Sequence, residues 1–271
     1  RTDTYTHTTQ LFANYDIDLG RNGDHHLSVM AGVEDYYKHY EDIYASRNQF
    51  KISYYPYLSM GSTELMGAGV NNSPYENAYV SVFGRVNYNY KSKYYAQANF
   101  RYDGSGRFKK GNRWGFFPSV SAGWVLTQEK FMEGARNVLS FLKLRASYGQ
   151  LGNDRIGNYP YQSTLSSNDP VGFVGSSSLV QALQGFSAYQ MVLDDITWET
   201  TETYDVGIDV NFLNDRLRIT ADYYKKTTRD MLILVDIPSY LGYTAPYKNS
   251  GDMNTKGWDL SVAWSDHIGD D

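Results

Sequence analysis

The chain contains no cysteine, so it has no disulfide framework, no thiolate nucleophile and no thiolate metal ligand. It contains no run of 18 apolar residues, which excludes a transmembrane helix. Its opening, RTDTYTHTTQ, shows no basic head followed by an apolar stretch, so no leader is expected in this segment. Proline is sparse, at 7 of 271 residues, and the 25 basic side chains do not outnumber the 30 acidic ones. The resulting net charge of -5 argues against a nucleic-acid partner, whose surface would demand a basic excess.

Rings and glycine are abundant. There are 26 Tyr, 12 Phe, 5 Trp and 24 Gly, and aromatic residues make up 16% of the chain. This mixture favours sheet over helix. Absence of a transmembrane helix also leaves one membrane architecture open, because a β-barrel crosses with alternating strands that are only weakly hydrophobic one by one.

The stretch DVGIDVNFLNDRLRITADYY (205–224) fixes a register. With Asn214 and Asp215 as turn residues, Phe212 opposes Leu217, Asn211 opposes Arg218, Val210 opposes Ile219, Asp209 opposes Thr220 and Ile208 opposes Ala221. Apolar pairs then share one face and polar pairs the other, as antiparallel pairing requires. Both turn residues tolerate left-handed backbone angles. A second ribbon, AYVSVFGRVNYNY (78–90) and YYAQANFRY (94–102), pairs Tyr90 with Tyr94, Tyr88 with Ala96, Val86 with Ala98 and Gly84 with Phe100, while Asn87 meets Gln97 and Arg85 meets Asn99. QLFANYDIDL, HLSVMAGVEDYY, SVSAGWV, LKLRASY and WDLSVAW alternate in the same way, which gives about nine strands.

The interior of the apolar faces carries no charge, and Asp35 sits only near the end of one. The opposite faces carry Asp16, Glu34, Arg85, Arg101, Lys143, Arg145, Asp205, Asp209, Arg218, Asp222 and Asp259. Connections alternate as well. Residues 19–24, 91–93 and 214–215 are short, whereas roughly 38–77, 104–115, 151–197 and 232–253 are long. TQEKFMEGARNVLSF (127–141) occupies a short-side position and reads as a brief helical turn. Such alternation gathers all long loops at one end of an antiparallel meander, and compact soluble domains seldom carry repeated long structureless loops.

A soluble sandwich also hides alternate side chains. The apolar faces here, however, mix many small residues (Ala13, Ala31, Gly84, Ala96, Ala98, Ala122, Ala146, Ala221) with large rings, a mixture that fluid lipid tolerates better than a jigsaw core does. A strand rising about 3.3 Å per residue and tilted near 40° crosses a band of about 25 Å in about ten residues. The apolar runs span seven to eleven, with Tyr88, Tyr90, Tyr102, Trp114, Tyr148, Tyr223, Trp258 and Trp264 near their ends. Rings with a polar handle suit a headgroup girdle. The expected fold is all-β: a partial transmembrane β-barrel wall, an antiparallel meander of about nine strands. An open sheet edge cannot persist in hydrocarbon, so residues 1–271 are expected to be one piece of a larger barrel.

Four segments, ANFRYDGSGRFKKGNRWGFFPSVSAGWVLTQEKFM (98–132), LKLRASYGQLGN (142–153), ITWETTETYDVGIDVNFLNDRLRITADYYKKTTRDMLI (196–233) and GDMNTKGWDLSVAW (251–264), resemble the SusC/RagA-like TonB-dependent outer-membrane transporters of Bacteroidota. The resemblance covers roughly the last two thirds of the chain. It implies a 22-stranded barrel around an N-terminal plug, an outer-membrane location, and import of oligosaccharide or peptide delivered through a SusD-like surface lipoprotein. It also implies energy from TonB–ExbB–ExbD acting on an N-terminal box. Plug, box, early strands and final strands are expected to lie outside residues 1–271, so transport is expected of the parent protein. No enzyme activity and no cofactor are implied. A soluble all-β carbohydrate-binding domain and a barrel-anchored surface adhesin are the alternatives.

No catalytic, cofactor or metal residue is assigned, and substrate-binding residues stay open. YDGSGRFKKGNRWG (102–115) lacks P-loop spacing and does not lead into a helix, so Gly104 and Gly106 are expected to serve backbone angles. His25 and His26 are adjacent, with His39 distant, and no matching carboxylate spacing supports a metal site. Asp205, Asp209 and Asp222 are expected to line the lumen and meet Arg218, Lys143 and Arg145 rather than to form an isolated acid–base couple. The tyrosines of 38–77 (Tyr40, Tyr44, Tyr54, Tyr55, Tyr57) and the Ser, Gly and Tyr of 160–190 are candidate contacts for substrate or lipoprotein as whole loops.

Overall fold

The computed structural model describes residues 1–20, 23–50, 54, 57–62, 69–166, 170–174, 181–188 and 190–266. Nine antiparallel strands form one continuous sheet in sequence order: β1 (Thr2–Leu19), β2 (His25–Ser46), β3 (Tyr75–Tyr90), β4 (Tyr94–Ser105), β5 (Trp114–Val125), β6 (Leu139–Asn153), β7 (Glu199–Phe212), β8 (Leu217–Arg229) and β9 (Met253–Trp264). No second sheet packs on the outer rows of the described strands. Leu11, Val206, Trp258 and Leu260 are 71%, 61%, 73% and 58% exposed. This removes the sandwich reading, in which these side chains would have met across two layers.

Both expected registers are present. Asp209 opposes Thr220 and Asn211 opposes Arg218 across β7 and β8, while Val86 opposes Ala98 and Arg85 opposes Asn99 across β3 and β4. The pairing extends these two ribbons into rows that run across the whole wall. One outer row reads Ile17, Leu27, Tyr88, Ala96, Ala122, Ala146, Val206, Tyr223 and Trp258. The next inner row reads Asp18, His26, Asn89, Tyr95, Gly123, Arg145, Gly207, Asp222 and Asp259. A side-chain period of two, held through eight pairings without a face reversal, separates the two chemistries.

Rings cluster along both margins of the outer face. Tyr90, Tyr94 and Trp124 stack at 6.2 Å between successive rings on the short-turn side. Tyr102 stacks on Trp114 at 4.8 Å on the long-loop side, and Tyr148 meets Tyr204 at 4.8 Å. This is the girdle expected at two headgroup levels.

The long connections run over 47–74, 106–113, 154–198 and 230–252. The first three are shorter than expected, because strand pairing continues above the apolar band, and the fourth keeps its expected length. There, side chains are polar on both faces and no longer advertise a strand. Lys38 to Asp42 of β2 pair with Thr6 to Thr2 of β1, Tyr40 stacks on Tyr75 at 4.8 Å, and the short strand Gly69–Asn72 adds to the tip of β2. The connection at 126–138 contains two 3₁₀ turns, Leu126–Gln128 and Lys130–Ala135, in keeping with the brief helical turn expected there.

Candidate functional site: the bore face and its loop cap

The inner face carries an ion network at its centre. Arg145 on β6 forks onto Asp209, Nε to Oδ2 at 2.8 Å and Nη2 to Oδ1 at 3.2 Å, and Nη2 also donates to Asp222 Oδ1 at 2.9 Å. Thr220 Oγ1 donates to Asp209 Oδ1 at 3.1 Å. The fork passes over Gly207, where a Cβ would meet Asp222 Oδ1 at 2.0 Å, so any larger residue would displace the bridge. One guanidinium thus satisfies two carboxylates on two neighbouring strands, the geometry in which Arg outperforms Lys. Lys143 instead lies over the Tyr95 ring at 4.9 Å, and Arg218 donates to the backbone oxygen of Asp215 at 3.2 Å. The expected meeting of Arg218 with the aspartates therefore does not occur. It lies nearer the turn than they do, and the turn carbonyl takes it.

Beside this network two hollows open on the same face. One, of roughly 460 Å³, is bordered by His26, Asn87, Asn89, Gln97, Lys143 and Asp205. The other, of roughly 570 Å³, is bordered by Asn99, Arg101, Asp103, Phe117, Ser119 and Thr203. A relay of amides spans the wall between them: Arg85 Nε and Gln97 Nε2 both donate to Asn99 Oδ1, and Asn99 Nδ2 donates to Ser119 Oγ. Such a surface presents hydrogen-bond donors and acceptors. Asp209 and Asp222, the two carboxylates of the network, are both engaged by Arg145. The bore is also less uniformly polar than the alternation suggested. Phe12, Phe83 and Phe117 face it, and Arg101 lies over Phe83 at 5.5 Å.

The long loops fold back over this face through one apolar cluster. Phe108, Phe117, Ile156, Ile196 and Trp198 are buried together, with Leu193, Leu232 and Tyr247 against them. Trp198 Nε1 donates to the Arg113 carbonyl at 2.8 Å, and Thr197 Oγ1 to that of Asn112 at 3.2 Å. Asn249 Nδ2 donates to the carbonyls of Thr197 and Asp230, which ties in the third loop. Ser105 Oγ donates to Asp154 Oδ2 at 2.7 Å, Arg107 reaches the Asp154 carbonyl at 3.1 Å, and Lys109 pairs with Asp194. The cluster was missed in the sequence because its members come from four separate segments and share no local period.

Gly104 and Gly106 serve close approach. Neither has a positive φ among the described backbone angles, which in this loop belong to Gly111 at φ 111°. A Cβ at Gly104 would touch the Trp114 ring at 3.0 Å, and one at Gly106 the Ala78 carbonyl at 3.2 Å. His25 Nδ1 lies 2.7 Å from the Tyr88 hydroxyl, His26 Nδ1 2.7 Å from Asp18 Oδ1, and His39 Nδ1 3.4 Å from Glu76 Oε1. Among the described residues no three His, Asp or Glu side chains gather as a metal site. Of the candidate loop tyrosines, Tyr54 and Tyr57 are exposed at 78% and 66%, and Tyr40 is stacked on Tyr75. Tyr55 lies outside the described residues, as does part of the 160–190 loop.

The family profile described as "TonB dependent receptor-like, beta-barrel" matches residues 1–269. TonB-dependent receptor P3 of Formosa agariphila is 31% identical over 261 residues, which is 95% of this chain and 25% of that protein. TonB-dependent receptor SusC of Bacteroides thetaiotaomicron is 35% identical over 188 residues, 69% of this chain and 18% of that protein. The RagAB peptide importer in its closed-closed state superimposes over 100% of this chain and 28% of its own, with a TM-score of 0.87 at 29% identity. The outer membrane transporter YddB of Escherichia coli shares the fold at 13% identity, with a TM-score of 0.59. The chain therefore spans about a quarter or less of the length of these curated relatives. With its uncharged outer rows, ringed margins and hydrated bore, the chain belongs to the TonB-dependent receptor β-barrel family of the outer membrane, on the SusC and RagA side of it.

Proposed function

We propose that residues 1–271 form one arc of a larger closed barrel whose plug and remaining strands lie elsewhere in the parent protein. In this reading the parent imports oligosaccharide or peptide with a SusD-like surface lipoprotein as lid, and TonB–ExbB–ExbD supplies the energy. The likeness to the RagAB peptide importer along the whole chain, at 29% identity and a TM-score of 0.87, carries this reading. The similarity to SusC keeps glycan cargo beside peptide.

Physically, the hollows and amide relay offer donors and acceptors to a polar cargo, while the loop cap supplies rings at the mouth. No reaction chemistry is proposed, since hydrogen bonding and hydrophobic contact suffice for capture and passage. The test is deletion of the full gene, with growth on defined oligosaccharides and peptides as sole nutrients, together with affinity isolation of the full-length protein from outer membranes. Loss of growth on one cargo class with co-isolation of a lipoprotein is expected. Unchanged growth on both classes, or isolation without a lipoprotein, rejects the reading.

A further inference from the structure

Lys225 of β8 and Lys256 of β9 are directly opposed across the sheet. By the strand alternation both lie on the outer face, one step beyond Tyr223 and Trp258, which are 54% and 73% exposed. The same row continues inward along the wall to Tyr204 and Tyr148, the tilted ring pair of the long-loop margin. Two like charges facing each other in this way destabilise a strand pair unless an anion lies between them.

Among the described residues the protein supplies none. Asp222 and Asp259 face the bore, and Asp222 is held by Arg145. Glu202, the outward carboxylate nearest in register, is bridged by Arg229 at 3.6 Å and accepts from Gln150 at 3.1 Å. At the other end of the wall the outward charges of β2 and β3 are acidic: Asp35, Glu41 and Glu76. The cationic pair is therefore a local feature of β8 and β9.

We propose that Lys225 and Lys256 clamp the phosphate of a lipid headgroup in the leaflet facing the long loops. Their position sets the depth. They stand one outward step from Tyr223 and Trp258 toward the long loops, so side chains that reach away from the hydrocarbon margin bring their ammonium groups to headgroup level. A phosphate ester between them turns the repulsive pair into two charge-assisted contacts. Bound lipid would thus hold β8 to β9 on the outer face as the Arg145 fork holds β6, β7 and β8 on the inner one.

The test uses the full-length protein in detergent, with native mass spectrometry of bound lipid A carrying two phosphates or none. The phosphorylated form is expected to bind, and Lys225→Gln with Lys256→Gln to weaken it roughly 30-fold. Lys225→Arg, which keeps the charge, retains binding, and so does Lys226→Gln on the bore side of the same strand. Heat-modifiable gel migration confirms that each variant is folded. Inorganic phosphate at equal concentration is expected not to compete, which identifies the lipid as the source. Equal binding of the dephosphorylated form, unchanged binding by the double variant, an equal loss in Lys226→Gln, or competition by inorganic phosphate overturns the proposal.

Discussion

The two ends of this wall are ordered by different means. At the short-turn end three of the four connections close within a few residues, and the fourth, 126–138, winds through two 3₁₀ turns. Lys91 and Ser92 both adopt φ 53°, Lys93 N donates to the Tyr90 carbonyl at 2.9 Å, and Asn89 Oδ1 accepts from Ser92 N. Leu213, Asn214 and Asp215 take φ 55°, 56° and 66° in the turn from β7 to β8. At the long-loop end the decisive contacts join residues far apart in sequence: Trp198 to Arg113, Thr197 to Asn112, and Phe117 to Ile156 and Ile196. Local closure costs little chain entropy and can be specified by two or three residues. Distant closure costs more and is repaid only by collective burial.

Breaking the distant end should produce the largest effect. Trp198→Ala removes the ring that meets Phe108 at 5.4 Å and Phe117 at 5.2 Å and leaves the Arg113 carbonyl without its donor. A local loss of about 3–5 kcal/mol is expected. Limited proteolysis of intact cells should then cut within 106–113, 154–198 and 230–252, while heat-dependent gel migration of the barrel is kept. If cleavage stays at the wild-type rate, the cap is not one cooperative unit.

A single residue at the near end should matter less. Asn214→Ala places a Cβ-bearing residue without a compensating side chain at φ 56°, at a cost of about 1 kcal/mol. Asn214→Gly should restore or exceed wild-type stability in urea unfolding from bilayers. Equal stability of the Ala and Gly variants would show that this turn is fixed by the wall and not by its own angles.

The smallest effect concerns the other short-side connection. Glu129 accepts from the Tyr94 hydroxyl at 2.6 Å and from Trp124 Nε1 at 3.3 Å, with Lys93 at 3.4 Å. These contacts, the Tyr94 bond foremost, hold its carboxyl below the ordinary value. A lowered carboxylate pKa contributes stability above the unfolded-state value and loses it as the pH falls through the folded-state value. Fluorine NMR of labelled Trp124 should therefore stay constant through neutral pH and shift only on acidification below the usual glutamate range. Glu129→Gln should abolish that transition. A shift centred near neutral pH would assign the transition to another group.

Strand existence, face and register were legible because they depend on a period of two and on turn residues a few positions apart. Val210 with Ile219 and Val86 with Ala98 are examples. The strand ends were not legible. In β2 the residues from Lys38 onward are polar on both faces, and only the neighbouring strand shows them to be paired. For the same reason Gly104, expected to serve a backbone angle, has its purpose elsewhere, in the Trp114 ring on the neighbouring strand.

Alternation by itself determined that within the apolar band one side of this wall is uncharged and the other polar, because strand geometry leaves a side chain only two directions. The partners within each side belong to the folded wall alone. Arg145 chose Asp209 and Asp222 over the other inward carboxylates, and Trp198 gathered three loops, because strands distant in sequence were laid side by side. A linear pattern fixes direction, whereas distance between residues far apart is set only when the backbone closes its ladder.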